Sequence, residues 1–204
     1  MTGQDGPPVK AIHLSHLKTL STLQQLSIAG SSISDTGLQH LAEMKYLKSL
    51  HLARCDNATN SGLKHLAKLT SLEDLGIGYC PKISDDGLPH LQNLTNLNML
   101  RLSELKITDS GLVHLKKMTR LKRLYIYDAP ITGSGLEHLA GRKNLDILLL
   151  RGCPITDAGL DHLKQLTNLR LLDLTRSSSS FKWKVTNEKL EELTSSFPEL
   201  TVNK

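Results

Sequence analysis

A five-residue string, Gly-Leu-x-His-Leu, returns six times along this chain, at Gly37, Gly62, Gly87, Gly111, Gly135 and Gly159. The successive intervals are 25, 25, 24, 24 and 24 residues. A degenerate copy without the glycine stands at Leu14-Ser15-His16-Leu17, 24 residues before Leu38. Another spans Val185 to Leu193, where Leu190 follows Leu160 by 30 residues. Self-similarity at a fixed period of roughly 20 to 50 residues is the mark of stacked units, each too small to bury its own apolar face.

Each unit contains two periodicities. After the glycine, apolar residues fall at helical spacing, as in Leu160, Leu163 and Leu166 or Leu38, Leu41 and Met44. Ahead of it stands a Ser/Thr-Asp pair: Ser34-Asp35, Ser84-Asp85, Thr108-Asp109 and Thr156-Asp157. Such residues are expected to accept hydrogen bonds from the free N–H groups of their own first helical turn and to suit its positive end. Calcium ligation is the other use of aspartates in a row, but capping already accounts for their position, and Asn60, Gly133 and Asn187 replace them in other units. Beyond the helix the period falls to two, as in Leu97-x-x-Leu100-x-Leu102 and Leu145-x-x-Leu148-x-Leu150. That pattern is a short strand with alternate residues turned inward.

The Leu-x-x-Leu-x-Leu pattern at this period resembles the leucine-rich repeat family over about residues 9–204. The Ile-Thr-Asp-x-Gly-Leu segments and the positions of Cys55, Cys80 and Cys153 resemble the cysteine-containing subfamily known from the substrate-receptor ends of F-box proteins. The histidine of the string and the Thr-Asn-Leu at Thr95 and Thr167 are more similar to bacterial arrays of the same class. The residues ahead of the array show no F-box-like pattern, so the resemblance carries no ubiquitin-ligase role with it. It does imply an α/β leucine-rich-repeat horseshoe of about 7–8 repeats, with a parallel concave sheet and convex helices. Strands stand about 4.8 Å apart and packed helices roughly 8–10 Å, and that mismatch bends the stack. Residues 1–8 are expected to form a flexible tail and residues 9–204 the array, with degenerate end repeats and an insertion at about 177–184. Phe181 and Trp183 of the insertion either cover the open end of the core or extend the binding rim, and Phe197, Leu200 and Val202 are expected in a last strand.

Composition narrows the function classes. The net charge of +5 is spread among charges of both signs without a long run of Lys or Arg, whereas nucleic-acid binders gather positive charge on one face. No stretch approaches the roughly 18 apolar residues of a membrane helix, and the polar N-terminus lacks the apolar centre of a signal peptide. Three cysteines do not make a disulfide framework. These features point to a soluble, cytoplasmic, monomeric protein with no nucleic-acid or membrane partner.

No residue pattern here points to catalysis or metal binding. His16, His40, His65, His90, His114, His138 and His162 share one register but sit on successive helices, and a spacing of roughly 8–10 Å is too wide for zinc bonds of about 2.0 Å. They are expected to flank the core. Cys55, Cys80 and Cys153 share their slot with Ser31, Leu105, Ala129 and Ser177, a mixture that suits a buried turn position rather than a nucleophile. No Walker loop, dinucleotide fingerprint, nucleophile elbow or zinc signature is present, so no cofactor, no metal and no catalytic residue is expected.

What differs between repeats is the exposed face of the strands, where a repeat protein encodes its partner. The first three full strands turn out small or polar residues: Gln25, Ser27 and Ala29, then Ser49, His51 and Ala53, then Asp74, Gly76 and Gly78. Exchanges among small residues at Ser27, Ser49 or Gly76 are expected to matter little. The next four turn out Met99, Arg101 and Ser103; Arg123, Tyr125 and Tyr127; Ile147, Leu149 and Arg151; and Leu171, Asp173 and Thr175. Tyrosine and arginine are enriched in binding hot spots, although Tyr, Ile and Leu also form strands well. The expectation is a non-catalytic protein-binding module. Tyr125 and Tyr127 would anchor the partner, Ile147, Leu149 and Leu171 would make a dry centre, and Arg101, Arg123 and Arg151 a carboxylate-binding rim, with Met99 and Asp173 completing the patch. The partner would carry acidic groups around an apolar spot. The alternative is the substrate-recognition part of a larger enzyme or ubiquitin-ligase-type assembly.

Overall fold

A computed structural model describes residues 22–30, 33–177 and 184–204. The tail, the first degenerate copy with His16, Ser31, and Phe181 and Trp183 lie outside the described residues. Within them eight strands form one parallel sheet in chain order. They are β1 (Gln25–Ala29), β2 (Ser49–Ala53), β3 (Asp74–Gly78), β4 (Met99–Ser103), β5 (Arg123–Tyr127), β6 (Ile147–Leu149), β7 (Leu171–Asp173) and β8 (Thr201–Asn203). The register is in phase throughout: Leu50, Leu75, Leu100, Leu124, Leu148 and Leu172 pair in one row. Each of these leucines is 0% exposed. Helical segments return the chain between strands and bury their leucines against the other side of the same core. This is the α/β leucine-rich-repeat solenoid that the repeat implied.

The helical segments are shorter and tighter than an α-helical reading predicts. Asp35–Leu41, Asn60–Leu66, Asp157–Asp161 and Asn187–Ser196 are α-helical, whereas Asp85–Leu91, Asp109–Lys117, Ser134–Leu139 and His162–Gln165 are 3-10 helices. The spacing is compatible with both forms, since Leu38, Leu41 and Met44 keep it in a repeat whose segment is α-helical. Leucines at i, i+3 and i+6 line up along a helix of 3.0 residues per turn but drift round one of 3.6. Leu112, Leu115 and Met118 are all 0% exposed.

The aspartates do not serve their own helices as expected. Asp35 accepts from the N–H (2.7 Å) and Oγ1 (2.7 Å) of Thr59, one repeat further on. Asp85 does the same for Thr108 at 2.8 and 2.6 Å, and Asp157 for Thr186 at 2.8 and 3.0 Å. Asn60 substitutes in the second repeat, reaching Ser84 N and Oγ at 2.9 Å each. The local cap belongs to the threonine instead, as Thr59 to Ser61 N and Thr156 to Gly159 N show, each at 3.2 Å. Each aspartate is therefore a clamp between repeats. The glycine of the string is what admits it: a Cβ on Gly62 or Gly111 would collide with the carboxylate of Asp35 or Asp85.

The last strand is Thr201–Asn203. It includes Val202, with Leu200 buried just ahead of it and Phe197 at the C-cap of the preceding helix rather than in the strand.

Candidate partner-binding face

The parallel register turns sequence spacing into neighbours. Arg101, Tyr125, Leu149 and Asp173 lie in one row across β4 to β7, and Met99, Arg123, Ile147 and Leu171 in the next. Ser103 pairs with Tyr127. The strand residues singled out from the sequence are thus brought together on one face of the sheet.

Three of them are not available to a partner. Met99 is 7% exposed, Leu149 8% and Asp173 1%. Outward residues on strands about 4.8 Å apart are covered when their row neighbours are larger or lean over them. Leu149 stands between Tyr125 and Asp173 in its row, and Asp173 lies beneath Arg151. Arg123, Tyr125, Tyr127, Ile147 and Leu171 are half-buried.

The charges and rings form a connected layer. Arg101 Nη1 is 2.7 Å from His51 Nε2 and 3.3 Å from Asp74 Oδ1. Its guanidinium lies 5.5 Å from the Tyr125 ring centroid, and the Tyr125 and Tyr127 rings stack at 6.3 Å. Arg151 stands 5.9 Å from the Tyr127 ring and donates to Asp173 Oδ2 at 2.9 and 2.7 Å. Burial works to raise the Asp173 carboxyl, but donation from Arg151, Thr175 and Asn203 outweighs it and holds the group down to about 2. Burial pushes the Tyr127 phenol up. Arg101 and Arg151 therefore each have a carboxylate within the chain. Arg123 has no ion pair among the described residues, and its Nε is buried without a hydrogen bond.

Two further groups of residues join this face. His51, Asp74 and Gly76 had been set aside as small or polar, yet His51 leans across β3 to meet Arg101, and a Cβ on Gly76 would lie 2.6 Å from the His51 ring. A side chain at Gly76 would therefore have to displace the His51 ring. The second group is a row of turn residues at the end of the strands, where Arg54, Tyr79, Glu104 and Asp128 adopt positive φ of 55°, 56°, 49° and 53°. Gly30 and Gly152 fill that slot elsewhere, and this was the signal, since glycine marks left-handed backbone. Tyr79, Glu104, Tyr127, Asp128 and Arg151 line a cavity of about 520 Å³ there.

His40, His65, His90, His114, His138 and His162 are half-buried, and among the described residues no group of three or more His, Cys, Asp or Glu is placed to hold a metal ion. Cys55, Cys80 and Cys153 are free thiols in the core, and burial pushes the Cys153 thiol up to about 12. A thiol so protonated is a poor nucleophile. Among the described residues no helix is long and apolar enough to cross a membrane.

No family model and no curated protein matches the sequence. Solved structures do. Internalin C2 from Listeria monocytogenes is 26% identical, with 80% of this chain and 66% of that one covered and a TM-score of 0.66. A leucine-rich repeat protein of Leptospira interrogans is 18% identical, covering 91% and 49%, with a TM-score of 0.60. The plant peptide hormone receptor RGFR1 in complex with RGF2 is 15% identical, covering 93% and 29%, with a TM-score of 0.55. The chain spans 66% or less of the length of these three proteins.

Proposed function

We propose that the chain is a non-catalytic module that binds a protein or peptide on the concave face of β4 to β7. The observation that carries this reading is the layer running from Arg101 through Tyr125 and Tyr127 to Arg151, pinned at its ends by Asp74 and Asp173. Aromatic and guanidinium groups held in place before a partner arrives lose little freedom on binding. The plant receptor has the same fold and was solved in complex with RGF2, so the architecture is one that serves recognition.

The roles follow from the geometry. Tyr125 and Tyr127 are anchors, Ile147 and Leu171 the accessible apolar centre, and Arg101 and Arg151 braces that hold the rings. Arg123, without a carboxylate of its own, is the cation that meets an acidic group of the partner. Tyr125→Ala and Tyr127→Ala should each weaken binding by about 2 kcal/mol or more, read as the affinity of a purified partner for folded variants. Normal affinity in both, together with loss on substituting an exposed helical residue such as Lys64, would place the site elsewhere.

A further inference from the structure

The helical segments contribute a third apolar residue to the core just past their Gly-Leu-x-His-Leu string. In five repeats it is Met44, Leu69, Leu94, Met118 or Leu166, none more than 3% exposed. In the repeat that begins at Gly135 the same position is Arg142. The residue is 9% exposed, and burial pulls its pKa down. It donates to Met118 O at 2.6 Å and Leu115 O at 2.5 Å. Each carbonyl also accepts from a backbone N–H, Met118 O from Leu121 N at 3.1 Å and Leu115 O from Met118 N at 2.9 Å. Arg142 Nε makes no hydrogen bond, and no carboxylate pairs with the group among the described residues.

A buried guanidinium among leucine positions is costly unless something supplies its counter-charge. Beside Arg142 lies a cavity of about 740 Å³, lined also by Lys116, His138, Lys143 and Glu137. The one carboxylate, Glu137, leans towards His138 at 3.6 Å. The lining therefore carries three cationic side chains, Lys116, Arg142 and Lys143, against the single carboxylate, and the space is larger than a phosphate group requires. Guanidinium and ammonium groups in this combination suit a dianionic oxyanion better than a single carboxylate.

We propose that this cavity, at the C-terminal ends of Asp109–Lys117 and Ser134–Leu139, binds a phosphate group. It lies apart from the concave face, and its success or failure leaves the reading of that face untouched. The test is the melting temperature of the full chain titrated with inorganic phosphate at constant ionic strength, with sodium chloride and sodium acetate as parallel arms. Phosphate is expected to raise the wild-type melting temperature saturably by about 2–4 °C, and chloride and acetate are not. Arg142→Leu, which restores the leucine ladder, should melt higher than wild type without ligand and lose the phosphate response. Lys116→Ala/Lys143→Ala, which leaves the core intact, should weaken phosphate binding about tenfold or more. An equal response to chloride, acetate and phosphate, or a phosphate response that survives both variants, would overturn the proposal. So would an Arg142→Leu protein less stable than wild type, since the guanidinium would then be structural. A parallel titration with phosphoserine separates the two sources of the group. Affinity tenfold above that of phosphate indicates a phosphorylated protein and equal affinity the free anion, and either supports the site.

Discussion

Asp173 is 1% exposed and still ionised, because Arg151, the Thr175 N–H and Asn203 all donate to it. A carboxyl whose folded pKa lies near 2, below an ordinary 3.8, contributes stability that is complete above pH 4 and is lost as pH falls through about 2. The shift corresponds to about 2 kcal/mol. Asp173→Asn should therefore unfold more easily than wild type at pH 7, and the gap in thermal melts should close towards pH 2. A gap that is the same at both pH values would show that the charge is not what stabilises the site. Asp173 had been read from the sequence as part of the binding patch, and its burial was not legible. Burial there depends on how far Arg151 leans over a neighbouring strand, and spacing along the chain carries no information about side-chain direction across it. The closeness of Gly76 to His51 was hidden for the same reason. The missing side chain of Gly76 is room for His51, which lies on another repeat.

The Ser/Thr-Asp pair was legible as an element boundary, and its threonine does cap the helix that follows. The aspartate was assigned to the wrong helix. Local reasoning finds a carboxylate at a first turn and stops there, yet its acceptors face the threonine of the next unit 23 to 29 residues away. In a periodic sequence the same residue types recur in each unit, and the pattern cannot say whether a pair acts within one repeat or between two. Asp85→Ala should lose both bonds to Thr108 and leave its N–H unpaired, at a cost of about 1.5–3 kcal/mol. Asp85→Asn should lose less, because Asn60 makes the equivalent bonds to Ser84. Equal losses for the two in denaturant melts would remove the inter-repeat clamp from the account.

The whole molecule is held by contacts between neighbouring repeats, since one leucine core runs unbroken from Ile28 to Leu200. Leu139→Ala, at a position 0% exposed, should therefore cost about 2–5 kcal/mol. Substitution of exposed Gln24 or Lys64 should shift stability by less than about 0.5 kcal/mol. Similar losses at both kinds of position, measured by denaturant unfolding, would mean that the inward register is wrong.

Period and composition were enough to determine the repeat length, the alternation of strand and helix, the leucines that face inward and the side of the sheet left variable. These follow from local rules, because a side chain every second residue or every third must point the same way wherever the unit is placed. The tertiary structure alone decided which outward residues stay accessible, which arginines already hold a carboxylate, and that Arg142 sits buried in a leucine's place beside an open cavity. Those outcomes depend on how the side chains of adjoining repeats divide the space between two strands or two helices, a competition that only stacking creates.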